Sequence, residues 1–290
     1  MEYIAHIIVL VLIYTTLATS LRVLVGETGL LSFAHAAFFG IGAYSSAILM
    51  TRSDVPFAAA FPASMGVAAA CSLLISLPSL WLRGDHFVLV TFGFPIIVTG
   101  LLNNCAGFTG GADGVTGIPP ARIVGLGLGS AAGSVAIALT VAVCSHLVIR
   151  RILVSPLGRV LRAIREDEDM VAACGRSPAA FKIAAVAVTA ALAGAAGSVY
   201  AQYIGFVDPS GFTILESILI LSMVIIGGAG SIWGPIVGAV VLVTVPEVLR
   251  FVGLPSSTAA ELRQLFYGLL LVLTMVLRPE GLLGKYRIGR

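Results

Sequence analysis

RRILVSPLGRVLRAIREDEDMVAACGRSPAAFK, residues 150–182, is a polar island in a chain of apolar runs. It holds seven of the 17 Lys and Arg residues (Arg150, Arg151, Arg159, Arg162, Arg165, Arg176 and Lys182) and a block of four acids, Glu166, Asp167, Glu168 and Asp169. Apolar runs cover 3–21, 30–50, 56–77, 86–104 and 123–149 before it, and 183–203, 213–229, 231–249 and 264–277 after it. A helix crosses the hydrocarbon of a bilayer with about 20 mostly apolar residues. Lipid offers no partner for a free amide, so such runs must be helices, or broken helices shielded inside a bundle. A transmembrane barrel would show alternating strands of about 10 residues, and these runs are continuous. The expected fold is all-α, a polytopic integral membrane bundle of about nine to ten transmembrane segments with some broken helices. It forms a single membrane domain over 1–290, with a cytoplasmic loop at 150–182.

The bulk composition agrees. The chain is 58% hydrophobic and 11% charged, with mean hydropathy +1.05, whereas soluble domains carry about 25% charged residues. The first run has only Glu2 as a charge before Arg22 and no soluble domain after it, so it reads as a span and not as a cleavable signal. No basic surface interleaved with aromatics points to nucleic acid. Cys71, Cys105, Cys144 and Cys174 show neither zinc-ligand spacing nor a CxxC pair, and read as small apolar fillers.

Basic residues beside membrane spans favour the cytoplasm. The 150–182 loop and the tail with Arg278, Lys285, Arg287 and Arg290 are the two strongest anchors, and an even number of runs separates them. Counting back from Arg150 places the N-terminus outside and Arg22 and Arg83 inside, with Arg52 and Arg122 outside against the rule. Glycine- and proline-rich stretches at 26–42 and 227–238 are places where helices can unwind or split. GLLSFAHAAFFGIGAY (29–44) and GSIWGPIVGAVV (230–241) look faintly alike, each with Gly, then Ser, then a Gly-spaced apolar helix. Internal duplication of this kind is frequent in transporters. Small residues dominate 184–201 and 39–47, which implies close helix packing.

Few residues inside the runs can carry chemistry. Glu216 is the only carboxylate well within one, near its start; it is either a pathway residue or an interfacial cap together with Thr213. His35 shares an apolar face with Ser32 and Phe39, and is either a satisfied core histidine or a lining residue. Ser32, His35, Phe38, Thr91, Asn103 and Glu216 are the candidate pathway residues. No set of acids repeats through the bundle, which argues against the alternative of an ion-coupled secondary transporter. GxxxxGK[ST] is absent, GFTGGADGVTG (107–117) lacks a lysine, and GAGS (228–231) fails the nucleophile-elbow spacing. His6, His35, His86 and His146 are scattered, and no metal site is expected. The chain itself reads as non-catalytic.

The polar island is different. Ser155–Gly158 forms a turn, and Arg159–Ala173 can make one amphipathic helix with Leu161, Ile164 and Val171 on one side and Arg162, Arg165 and Glu166 on the other. Gly175 ends it as a C-cap, and Pro178 begins the return to the membrane. Such a helix, lying along the membrane, is what a soluble motor domain could push. The plainer alternative is a positive loop that only fixes topology.

The residues resemble the permease subunits of ATP-binding cassette (ABC) importers for branched-chain amino acids, the LivM-type branch. The matching stretches are 29–44, LPSLWLRGDHFVLVTFGF (77–94), LLNNCAGFTGGADGVTGIP (101–119), PLGRVLRAIREDEDMVAACG (156–175), FKIAAVAVTAALAGAAGSVYA (181–201) and ILSMVIIGGAGSIWGPIVGA (220–239). RGD before an aromatic pair and TGGADG with GIP favour the M-type over the H-type subunit. The resemblance implies that EDMVAACG docks in a groove of cytoplasmic ATPases, with Ala172, Ala173 and Gly175 as its small residues and Glu168 or Asp169 at its first position. Arg159, Arg162, Arg165 and Glu166 complete the expected coupling loop. It also implies two ATPase subunits that hold ATP and magnesium, a second, H-type permease, a periplasmic solute-binding protein and a bacterial inner (plasma) membrane location. The chain departs from relatives at Glu27-Thr28. Urea, short amides and aromatic acids are carried by similar permeases, so the solute class stays open.

Overall fold

The structure is a computed structural model, and it describes residues 2–79, 85–120, 122–123, 126–127, 131–250, 268–270, 272–273, 276 and 281–283. It is a helical bundle. Helix α1 (Glu2–Arg22) runs into a π-helical turn (Val23–Thr28), and after an unwound stretch α2 (His35–Arg52) starts back. Next come α3 (Phe57–Ser79), α4 (Asp85–Asn104) and the short α5 (Ala106–Thr109). Three short strands follow, β1 (Val115–Thr116), β2 (Arg122–Ile123) and β3 (Leu126–Gly127). After α6 (Ala131–Val154) lie α7 (Pro156–Glu166) and α8 (Glu168–Ala173), then α9 (Pro178–Ile204) and β4 (Phe206–Val207). A second interrupted pair, α10 (Ile214–Gly227) and α11 (Gly234–Arg250), completes the series.

Among the described residues five helices are long and apolar enough to cross a membrane: Glu2–Thr28, Phe57–Pro78, Phe87–Asn104, Ala131–Val154 and Pro178–Ile204. Ile214–Gly227 and Gly234–Thr244 are apolar but shorter. At 1.5 Å per residue a 14-residue helix such as α10 is only about 21 Å long, less than the ~30 Å of hydrocarbon. The run at 123–149 is not one helix: Arg122–Ile123 pairs antiparallel with Leu126–Gly127, and α6 begins only at Ala131. The run at 264–277 and the basic tail lie mostly outside the described residues, as does Arg83.

Small residues set the core. Helix α9 packs along α2 and α3. A Cβ on Gly42 would lie 2.3 Å from Gly194 Cα, and one on Gly197 would lie 2.1 Å from Phe39 O. The helix backbones therefore touch, the arrangement that favours association in lipid, where burial of apolar side chains drives nothing. Large apolar side chains point outward instead, among them Leu89, Phe92, Ile96, Ile97 and Leu101 on α4 and Leu139, Val143 and Leu147 on α6.

The two ends of the bundle differ. One carries α7 and α8, the π-helical turn and the 228–233 turn. The other carries the α4–α6 connection, where β1 pairs antiparallel with β4 (Val115 opposite Val207) and Arg52 donates to Gly107 O at 2.9 Å beneath the Phe108 ring. Arg52 thus has a backbone acceptor and an aromatic ring as partners. Phe212 is buried there between Phe39, Tyr44 and Tyr200, over Gly40, where a Cβ would lie 2.7 Å from its ring. Thr99 Oγ1 donates to Phe212 O at 3.3 Å, so α4 holds the same segment.

Candidate functional site

The polar island folds as two helices, not one. Asp167, at φ −157° and ψ 106°, leaves the α7 helix and caps α8, its Oδ1 accepting from Met170 N at 3.0 Å. An acid at that position can satisfy the first free amides of a helix, and it divides the expected Arg159–Ala173 helix. The apolar face is as expected, with Leu161 fully buried and Ile164 and Val171 buried beside it, but of the expected outer residues only Glu166 stays clear of the bundle. Gly175 has φ +78°, and its N–H reaches Ala172 O at 2.9 Å, a left-handed terminus that suits glycine. Lys182 Nζ bonds Glu168 Oε2 at 2.6 Å, tying α8 to the start of α9.

The outward face of this unit shows Arg159, Glu166, Asp169, Met170, Ala172, Ala173, Gly175 and Arg176. Arg159 Nη1 lies 3.5 Å from Val154 O, at the free C-terminal carbonyls of α6. Arg162 and Arg165 behave differently from their neighbours. Arg162 Nη2 donates to Leu153 O at 3.3 Å, while its Nη1 lies 3.6 Å from Glu27 Oε2. Arg165 Nη1 donates to Gly26 O at 2.7 Å, and its aliphatic stem covers Gly29. These two side chains fasten the unit to the bundle.

What they fasten to is the first helix break. Wider π-winding over Val23–Thr28 ends at Gly29, φ +69°, whose N–H returns to Leu24 O. Arg22 and Glu27 are both buried and pair at 3.1 Å, and Arg22 Nε donates to Ala229 O at 3.1 Å in the second break. In that break, Gly228 takes φ +103° and Ser231 Oγ accepts from Trp233 N at 3.3 Å. Leu282 N and Leu283 N donate to Ile226 O and Gly227 O, at 2.8 and 3.0 Å. Arg22, Glu27 and Ala229 were not among the residues expected from sequence. An arginine closing an apolar run, with a carboxylate five residues on, is the signal that could have found the first two.

Of the candidate pathway residues, Ser32, His35 and Phe38 gather at the start of α2, while Asn103 lies near the end of α4. Ser32 and His35 sit at the start of α2, both buried; Ser32 Oγ accepts from Ala34 N, and His35 Nε2 lies 2.9 Å from Ser20 Oγ. Because Ser20 Oγ also lies 2.8 Å from Leu17 O, its proton can go there, leaving the imidazole N–H to donate to the hydroxyl. Phe38 is fully buried against His35 and Phe94. Thr91 Oγ1 bonds Val88 O within α4, and the exposed Asn103 bonds Thr99 O near the opposite end. Glu216 lies in the first turn of α10, where Tyr14 Oη donates to its Oε1. Thr213 stands at the N-cap position but makes no side-chain cap bond.

Comparison with known proteins agrees with this architecture. The family model of the branched-chain amino acid transport system permease component matches residues 3–275. The high-affinity branched-chain amino acid transport permease LivM of Escherichia coli K12 is 37% identical over 96% of this chain and 69% of its own length. LivM of Salmonella typhimurium is 36% identical over 95% of the chain and 69% of its length. LivH of E. coli K12 is more distant, at 24% over 96% of the chain and 93% of its own length. No solved structure matches. With a multi-pass helical body, no catalytic role in its relatives and this likeness along nearly its whole length, the chain belongs to the branched-chain amino acid transport permease family, as a LivM-type subunit.

Proposed function

We propose that this chain is the M-type permease of an ATP-driven importer for branched-chain amino acids or a similar small solute, and that residues 156–175 receive the mechanical work. It works beside an H-type permease, two cytoplasmic ATPases that bind ATP and magnesium, and a solute-binding protein on the outer face. The membrane is the bacterial inner membrane, crossed about nine to ten times, with the N-terminus outside and α7 and α8 inside. One observation carries the reading. The α7–α8 unit presents charged and small side chains outward, while its buried face and two arginines grip the point where α1 gives way to α2. ATP binding in the partners displaces the unit, and the break passes that displacement to α2. At that break the Gly29 and Leu30 amides and the Thr28 hydroxyl all turn to Leu24 O, a local winding that differs from α-helix and can be exchanged for it. Energy comes from the partners, and the chain supplies two packings that differ by a few kcal/mol. The test is uptake of labelled leucine into vesicles carrying the complete complex, with ATP and with an imposed proton gradient alone. Uptake driven by the gradient without ATP refutes the reading and supports the ion-coupled alternative.

A further inference from the structure

A buried ion pair such as Arg22–Glu27 is a poor way to stabilise a helical bundle. Desolvating two charges costs several kcal/mol each, and well-packed apolar residues generally serve stability as well or better. A buried ion pair kept at one end of an apolar bundle is therefore a candidate for a role other than stability. This pair also has an unusual set of neighbours. Glu27 Oε1 faces Arg22 Nη2 at 3.1 Å, and Glu27 Oε2 faces Arg162 Nη1 of α7 at 3.6 Å. Arg22 Nε reaches across to Ala229 O at 3.1 Å. Both Arg22 Nη1 and Glu27 Oε2 are buried without a hydrogen bond among the described residues. Beside them Gly26 abuts the second break, where a Cβ would lie 2.5 Å from Ala229 O. Three elements with no common backbone therefore meet on one carboxylate and one guanidinium: α7, the 23–29 break and the 228–233 break.

We propose that Glu27 and Arg22 are positioning residues for coupling, delivering the displacement of α7 to both helix breaks at once. If α7 moves, Arg162 draws on a carboxylate that is already short of partners. Loss of Arg162 leaves Glu27 Oε2 buried with no cation of its own, the Arg22 bond being on Oε1, so the carboxylate follows or re-pairs, and Arg22 then loosens or tightens on Ala229 O. The π-turn that holds Glu27 can rewind without breaking the chain elsewhere. This deepens the importer reading and rests on it.

The experiment uses the complete transporter with its solute-binding protein in proteoliposomes, and reads labelled leucine taken up per ATP hydrolysed. Glu27→Gln lowers that ratio about tenfold, the size of an ordinary coupling energy, and Glu27→Asp, which keeps the charge, recovers most of it. Arg162→Gln lowers it too, and the double variant is no worse than Glu27→Gln alone. A normal ratio in Glu27→Gln, an equal loss in Glu27→Asp, or additive losses in the double variant overturns the assignment. If Glu27→Gln fails to assemble, Arg162→Gln decides alone, because that side chain is half exposed; a normal ratio there overturns the proposal. Absence of ATP-dependent uptake by the unaltered complex overturns the importer reading itself, and this proposal with it.

Discussion

The α2–α9 crossing makes Gly42→Ala a demanding test of the packing. A Cβ there would lie 2.3 Å from Gly194 Cα, 2.4 Å from its oxygen and 2.7 Å from its carbonyl carbon. Two carbons pack best at about 3.5–4.0 Å, so the two backbones must part by roughly 1.2–1.7 Å. No rotamer change relieves this, because every one of the three atoms belongs to the main chain. Overpacking a tight interior costs about 1–3 kcal/mol, a shift in the folding equilibrium of roughly 5- to 150-fold. Gly66→Ala on α3 is the matched control: a Cβ there meets nothing within 4 Å, and alanine gains up to about 1 kcal/mol of helix propensity. Unfolding both purified variants with SDS in mixed micelles, followed by tryptophan fluorescence, should give an earlier midpoint for Gly42→Ala and an unchanged or later one for Gly66→Ala. Equal midpoints for the two variants would refute the claim that direct backbone contact holds α2 on α9.

Other perturbations probe the α7–α8 unit. Leu161→Ala removes a fully buried side chain and should cost about 2–5 kcal/mol; faster protease cleavage between 156 and 177, with the rest of the chain intact, is the readout. Gly175→Val meets no neighbour but forces a branched residue to φ +78°, a cost of about 1–2 kcal/mol. Uptake per ATP should fall, and a normal ratio at normal expression would count against a coupling role for 168–175. With the free Cys71, Cys105, Cys144 and Cys174 first replaced by serine, Asp167→Cys should react with a membrane-impermeant maleimide in inside-out vesicles and stay unlabelled in right-side-out ones; the reverse pattern would invert the topology.

The bundle and its polar island were legible because lipid imposes a severe rule: every apolar run must satisfy its own amides, and charge is left only where water reaches. The same logic located both unwound stretches, at glycines that take positive φ, Gly29 and Gly228. It failed where a local side chain competed with a pattern. Asp167 caps α8 and splits a helix whose apolar face runs on without interruption, and β2 with β3 replaces the start of a run that reads as apolar helix. The pathway residues were chosen as polar positions in apolar surroundings; in the structure Ser32 Oγ accepts from Ala34 N, and Thr91 and Asn103 donate to backbone oxygens of their own helix, bonds that no spacing in the sequence announces. Arg162 and Arg165 look like two more surface charges in the sequence. Their reach to Glu27 and Gly26 comes from tertiary proximity, which no spacing within 150–182 records.

Phe212, wedged over Gly40, gives α2 a second handle. Its carbonyl is held by Thr99, and the strand just before it is stitched to Val115–Thr116. A displacement of that strand pair would thus reach the eighteen-residue helix His35–Arg52 at Gly40, in the half that follows the Gly26–Gly29 segment held by Arg165. Under the importer reading proposed above, both attachments meet on one element, which requires nothing more of α2 than stiffness.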